Sequence, residues 1–356
     1  MASLGERLAA RTLELVDIPS ESLHEAEIRA HVHGLVPSSY TLRDEGDDAF
    51  LWAPERREGV PLVLLVGHYD TVPAQDNVPG RVEGGAVHGC GASDMKGGVA
   101  VALELVRDLA SGEPGLVDVG LVLFGREELP QQFNPLPALL AGSELARDAG
   151  LAVLLEPTNL TIQAGCLGNL NARLTFRGVS GHSARPWLAE NAITKALHGL
   201  APIAALERRE VVVGGLPFYE VVTVTRLEAG IADNVVPDRA AATLNFRYAP
   251  DRGPGEAEAY LRSLVPDGAE VALSGESPAG RVVSDTPLVD ALRAAGDGLP
   301  LEPKQAWTNV ADFTAAGIDA VNFGPGATRY AHRRDELVEI AALERAYEIL
   351  HRFVHG

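Results

Sequence analysis

Short apolar runs that stop abruptly on histidine or carboxylate residues constrain this chain more than anything else in it. VPLVLLVG leads into His68 and Asp70, VGLVLFG into Glu127 and Glu128, and LAVLL into Glu156. Runs of four to seven apolar residues at 60–66, 118–124 and 151–155 alternate with helical patterns at 96–110 and 137–149. That is the signature of buried strands in an α/β sheet. In such sheets, ligands and catalytic groups collect just outside the carboxyl ends of the strands. Two further segments, GASDMKGG (91–98) and FGPGATRYAHRRDE (323–336), add Asp94 and His332. Residues spread from 68 to 332 can thus meet at one place, and their donor types suit one or two divalent metal ions. The pattern reads as a metallohydrolase.

Each fragment alone has an ordinary explanation. An aspartate before a helix, as Asp94 is before KGGVAVALELVRDL, is commonly an N-cap. An acidic pair opening a loop is commonly solvated surface, and His332 beside Arg333 and Arg334 could be the same. Adjacent residues leaving a strand point to opposite sides, however, so one of Glu127 and Glu128 can hold metal while the other faces substrate. Asp70, two residues after His68, suits the carboxylate that fixes a ligating histidine's tautomer. All five fragments at strand ends in one chain make the case together.

At 356 residues the chain is long for one core, so two domains are expected. Apolar content of 46% with 22% charged residues is that of a globular protein. A net charge of -19 argues against nucleic acid or an anionic membrane as partner. The amphipathic start, MASLGERLAARTLELVDIPS, lacks the basic and apolar regions of a signal peptide. No apolar run nears the roughly 20 residues of a membrane span. Cys90 and Cys166 are too few for a disulfide framework, so a cytoplasmic location is expected. Cys90, close to Asp94, reads as a small space-filling thiol.

Residues 3–17 have helical spacing, and a second helix is expected from Ser22, where Ser22 and Glu25 have capping-box spacing ahead of Ile28, Val32 and Leu35. From about residue 169 the texture changes to alternating segments, NLNARLTFRG, EVVVGGLP, EVVTVTRLEAG, RAAATLNFRYAP and AEVALSG, with helical stretches near 189–206 and 254–265. That rhythm predicts a small antiparallel sheet with two helices on one face. Helix–strand alternation resumes after 280 and ends in a helix from about 337. The fold expected is therefore α/β, with residues 1–169 and 281–356 forming a mixed-sheet, metal-binding catalytic domain. Residues 170–280 form an inserted α+β domain.

The motifs GHYDTVP, GCGASDMKGGVA, REE, EPT, AGCLGN, HSARPWLAENAI, DNVVPD, NFRYAPDR, WTNVADF and VNFGPG run in order along nearly the whole chain. In them the chain resembles the zinc aminoacylase and carboxypeptidase-G-type hydrolases, which include acetylornithine deacetylase and succinyl-diaminopimelate desuccinylase. Its closest likeness is to the short desuccinylases of actinobacterial type. The resemblance implies a zinc-peptidase-like catalytic domain and a ferredoxin-like inserted domain that acts as dimerisation surface and lid. It implies two Zn²⁺ per subunit, with Co²⁺ able to substitute: His68 and Glu156 on one, Glu128 and His332 on the other, Asp94 bridging. Asp70 would orient His68, and Glu127 would be the general base. A cis peptide would join Asp94 to Met95. His182 would complete the active site of the partner in a homodimer. Asn234, Arg247 and Arg185 would contact substrate, with Thr308, Gly324, Gly326 and Thr328 lining the acyl pocket.

The substrate implied is a small N-acyl amino acid, N-succinyl-LL-2,6-diaminopimelate first, cleaved to succinate and the free diamino acid. N-acetylornithine, N-acetyllysine or N-acetylcitrulline deacetylation is the alternative, and a non-catalytic dimeric binding protein a second. One departure bears on this choice. The larger desuccinylases carry paired arginines where this chain has Cys166 and Leu167, so a succinyl carboxylate would need Arg185, Arg329 or Arg333 instead.

Overall fold

Strands Leu62–His68 and Asp118–Phe124 are buried at every position, which requires cover on both faces of their sheet. The computed structural model describes residues 2–356. Its largest sheet has eight strands, in the order Thr41–Gly46, Ala49–Ala53, Asp118–Phe124, Leu62–His68, Leu151–Leu154, Ala320–Asn322, Ile162–Ala164, Leu301–Pro303. The four central strands run parallel, with His68 level with Phe124, Val66 with Leu154, and Leu154 with Asn322. Antiparallel neighbours flank them, so the sheet is mixed, as expected. Helices Leu4–Val16, Gly97–Leu109 and Ile340–His355 pack on one another and supply much of the cover. The helix Ala26–Leu35 sets His33 edge-on against Phe50 and Trp52.

The chain divides into two compact units. One comprises residues 1–165, 283–302 and 312–356, and the other 166–282 together with 303–311. The second unit's sheet is antiparallel throughout, ordered Arg209–Val213, Leu216–Ala229, Arg239–Tyr248, Gly168–Arg177, Ala269–Ser277. Without the added hairpin strand, Arg209–Val213, the connectivity is βαββαβ and ferredoxin-like. One face, built from Leu170, Leu174, Leu244 and Phe246, packs on helices Ala192–Ala204 and Pro254–Ser263 through Ala196, Leu200, Ala257 and Leu261. Period-two alternation then turns Asn169, Asn171, Asn245 and Arg247 to the opposite face.

Several local expectations change. Ser22 does not cap a helix: the second helix begins at Ala26, while Ser22 Oγ donates to Asp70 Oδ2 at 2.7 Å. The helix expected over 137–149 breaks at Ser143, whose hydroxyl caps Ala146 N and bonds Asp44. Residues 337–339 form a strand paired with Ala86–His88, and the last helix starts only at Ile340. No helix among the described residues is long and apolar enough to cross a membrane.

Candidate metal centre

Parallel strands in register deliver their first loop residues to one edge, and there the predicted ligands meet. His68 is the last residue of its strand. Glu127 and Glu128 follow Phe124, and Glu156 lies two residues past Leu154. His332 arrives on the loop after Ala320–Asn322 with φ +60, and Gln75 Nε2 holds its carbonyl at 3.0 Å. Arg126, just before the glutamate pair, also has positive φ, +62, and is clamped by both Asp47 oxygens at 2.8 and 2.9 Å. Left-handed backbone at two non-glycine residues beside one site means that the surroundings impose it.

Asp94 organises the cluster. Its Oδ1 lies 3.4 Å from His68 Nε2 and its Oδ2 3.5 Å from His332 Nε2, so one carboxylate faces two histidines. Glu156 Oε1 stands 4.0 Å from His68 Nε2, and Glu128 Oε1 accepts from His332 Nε2 at 2.9 Å. Asp94 does not cap the following helix, and the bond to Met95 is cis. Ligand atoms of His68, Asp94 and Glu128 lie within 4.8 Å of one another. His68 Nε2 is buried and has no hydrogen-bond partner. An orphaned imidazole nitrogen ringed by carboxylate oxygens fits a divalent cation, which needs no proton between the groups.

Asp70, wholly buried, ties this arrangement to the glutamate pair. Its backbone oxygen and Oδ1 approach His68 Nδ1 at 3.1 and 3.4 Å. Its carboxylate also accepts the backbone N–H groups of Glu127 (3.1 Å) and Glu128 (3.2 Å) and the Ser22 hydroxyl. Burial opposes ionisation, but these donors outweigh it and hold the Asp70 carboxyl below its ordinary range. Glu127 has the opposite balance. Desolvation, then the charges of Glu156, Glu128 and Asp94, push its carboxyl well above the usual range against the pull of His68. A carboxyl that holds a proton readily beside a carboxylate that does not is the division acid–base chemistry needs.

A residue missed in the sequence braces the Asp94 turn. Glu336 is 2% exposed, and its Oε1 accepts from Ser93 N (2.9 Å) and Asp94 N (3.0 Å) while Oε2 accepts from Gly91 N at 3.0 Å. Its only sequence signal is an acid four residues past His332. Gly324 and Gly326 are glycine because a Cβ would meet the carbonyl oxygens of Leu155 and Glu156 at 2.4 Å, and that of Ser93 at 2.3 Å. Thr328 Oγ1 is engaged with Pro157 O at 2.8 Å. Cys90 is buried with its thiol toward Val72 O, a space-filling role.

The remaining candidates belong to the second unit. His182 pairs with Val235 on a short ladder, and Ser183 N donates to Asn234 O, so His182 and Asn234 are neighbours. Ala184 N donates to His182 Nδ1 at 3.0 Å, which leaves the ring proton of a neutral imidazole on Nε2. Arg185 is exposed, Arg247 is half-buried, and Thr308 is buried with a hydroxyl lacking a hydrogen-bond partner.

Residues 64–356 match the sequence pattern of peptidase family M20/M25/M40. The chain belongs to that family. Its M20 relatives include a Corynebacterium glutamicum protein named succinyl-diaminopimelate desuccinylase, 37% identical over 359 residues and 94% of each chain. The protein of that name from Gluconobacter oxydans is 32% identical, over 84% of this chain and 82% of its own. Aminopeptidase PepT of Bacillus cereus shares the fold, with a TM-score of 0.80 at 18% identity over 98% of both chains. So does YxeP of Bacillus subtilis, described as a dinuclear metal-binding M20 peptidase, with a TM-score of 0.65 at 16% identity over 98% and 97%.

Proposed function

We propose that this chain is a dinuclear zinc amidohydrolase that cleaves N-succinyl-LL-2,6-diaminopimelate to succinate and LL-2,6-diaminopimelate. The observation that carries the metal chemistry is Asp94, one carboxylate turned to two histidines that each have a further glutamate. His68 and Glu156 would hold one ion, Glu128 and His332 the other, with Asp94 shared, and cobalt would replace zinc. Divalent metal bound there supplies Lewis acidity, which acidifies water and polarises the amide carbonyl.

The protein's own groups do the rest. Glu127 takes a proton from the attacking water and returns it to the departing amine. Asp70 keeps the His68 ring and the Glu127–Glu128 backbone in place. His182, with its proton on Nε2, donates to the oxygen that gains charge as the carbonyl becomes tetrahedral. Arg247 and Asn234 take the carboxylate of the amino-acid part. His182 acts in the partner's site within a homodimer formed through the second unit, as a lid and dimerisation domain. Trp187 (74% exposed) and Ile231 (86%) on that unit suit such a surface.

The names of the 37% and 32% identical relatives support the succinyl group. Cys166 and Leu167, both buried, offer it no charge. Arg333 is committed to Asp335 at 2.7 and 3.0 Å, whereas Arg329 lies over the Tyr330 ring, so Arg185 and Arg329 are the candidate cations. The same apolar pair favours the second reading, N-acetyl amino acid deacetylation.

Glu127→Gln tests the mechanism. It should keep the metal content of the parent and lose about 10²–10⁴-fold in kcat. Full activity in the metal-loaded variant would remove Glu127 as the base.

A further inference from the structure

Among the arginines on the polar face of the second unit's sheet, Arg226, Arg239 and Arg247 have no ion pair to any described residue, and of these Arg247 alone is half-buried while the other two are exposed. Arg173 meets Glu228 at 3.1 Å, and on the same unit Arg209 and Arg252 share Glu220. Arg247 is half-buried, and no ion pair to it exists among the described residues. Burial alone pulls its guanidinium pKa down, with no carboxylate raising it. A desolvated cation without a counter-ion is costly, and the cost is relieved when an anion arrives.

What Arg247 does have is a chain of side-chain amides. The edge strand changes register between Ser274 and Ser277, which leaves Gly275, at φ +59, outside the ladder. Its freed carbonyl accepts Asn169 Nδ2 at 3.0 Å. A carbonyl can only accept, so this contact fixes which end of the Asn169 amide is which. Asn169 Oδ1 then accepts Asn245 Nδ2 at 2.6 Å, and Asn171 Oδ1 accepts the same nitrogen at 2.8 Å. With that nitrogen committed twice, Asn245 Oδ1 faces Arg247 and accepts its Nε at 3.2 Å. Three strands thus fix one guanidinium, and engagement of Nε leaves the Nη1–Nη2 edge of the fork unpaired.

We propose that Asn169 and Asn245 are positioning residues that hold Arg247 so that its Nη1–Nη2 edge receives the substrate α-carboxylate bidentately. The inference rests on the reading that Arg247 takes that carboxylate. It adds the residues that orient the fork and the edge presented. An end-on fork suits a planar carboxylate and gains nothing from a neutral carboxamide.

The test compares two substrates, N-succinyl-LL-2,6-diaminopimelate and N-acetylornithine, each with its α-carboxamide, on the metal-loaded protein. For whichever is turned over, Asn245→Ala should raise KM for the carboxylate form about five- to twentyfold with kcat within about twofold. The preference for carboxylate over carboxamide should shrink by the same factor. Asn169→Ser, one link further away, should act in the same direction by about two- to fivefold, and it supplies the reading if Asn245→Ala does not fold. Arg247→Ala should abolish the preference. If Arg247→Ala abolishes it and neither folded asparagine variant changes it, the positioning chain is overturned while the carboxylate reading stands. If Arg247→Ala leaves the preference intact, the carboxylate reading itself fails.

Discussion

Removing the Glu336 carboxylate should loosen the metal centre from behind. Three backbone N–H groups, those of Gly91 and Ser93 buried and that of Asp94 partly so, end on its two oxygens. Glu336→Ala leaves all three without an acceptor, at about 1–3 kcal/mol each and so about 3–9 kcal/mol gross. Part of this is offset, because the carboxylate is itself costly to bury. Desolvation pushes its pKa up to about 7 from 4.5 despite the three donors, which corresponds to about 3 kcal/mol. Water entering the space recovers more, so a net loss near 2–3 kcal/mol in holding the Asp94 turn is expected. That equals about a 30–150-fold weaker metal affinity, at the upper end of the usual range for a group supporting a ligand. Glu336→Gln can still present one oxygen to Ser93 and Asp94 but turns an amide N–H toward Gly91, so about tenfold is expected. Competition with a chromophoric chelator measures zinc affinity for the series, and thermal melting of the metal-free proteins measures the fold. Parental zinc affinity in both variants would show that the Asp94 turn holds its place without the Glu336 carboxylate. So would a lowered melting temperature with unchanged affinity, which would make Glu336 a residue of the fold alone.

Glu220, 4% exposed, accepts from Arg209, Arg252 and Ala249 N, and Glu220→Gln should destabilise the protein by about 2–3 kcal/mol near neutral pH. Burial works against ionisation there, but the arginines prevail and the folded-state pKa lies below 4.5. Its stabilisation is therefore present above 4.5 and lost as pH falls through the folded value, so the melting gap between parent and variant should close on acidification. A gap that stays constant from pH 7 to about 3 would contradict that. Mixed Glu127→Ala and His182→Ala proteins, each inactive alone, should regain part of the parental activity once subunits exchange. No recovery despite demonstrated exchange would confine His182 to its own subunit.

Sequence made the strands readable because parallel strands covered on both faces must be apolar throughout. The candidate ligands were readable because they follow directly. The histidine–carboxylate set could be read as converging, but the spacing of Asp94 is the same for a helix cap as for a shared ligand. Only its two oxygens facing His68 and His332 separate the cases. Ser22 misled because capping-box spacing is local, whereas its partner, Asp70, is set by tertiary structure. Glu336 sits in RRDE, a run that looks like solvated surface, and its partners are backbone groups some 240 positions earlier in the chain. The asparagine chain behind Arg247 depends on a bulge at Gly275, which alternation alone does not reveal.

Turnover of N-succinyl-LL-2,6-diaminopimelate against N-acetylornithine, by the same zinc-loaded preparation, separates the proposed desuccinylase from the alternative deacetylase. The expected kcat/KM is at least about tenfold higher for the succinyl substrate, or roughly 1.4 kcal/mol of transition-state discrimination. Activity should disappear when a chelator removes the metal and return when zinc or cobalt is restored. Preference for the acetylated substrate would replace the proposed function with deacetylation. Full turnover of either substrate by demonstrably metal-free protein would contradict the mechanism itself.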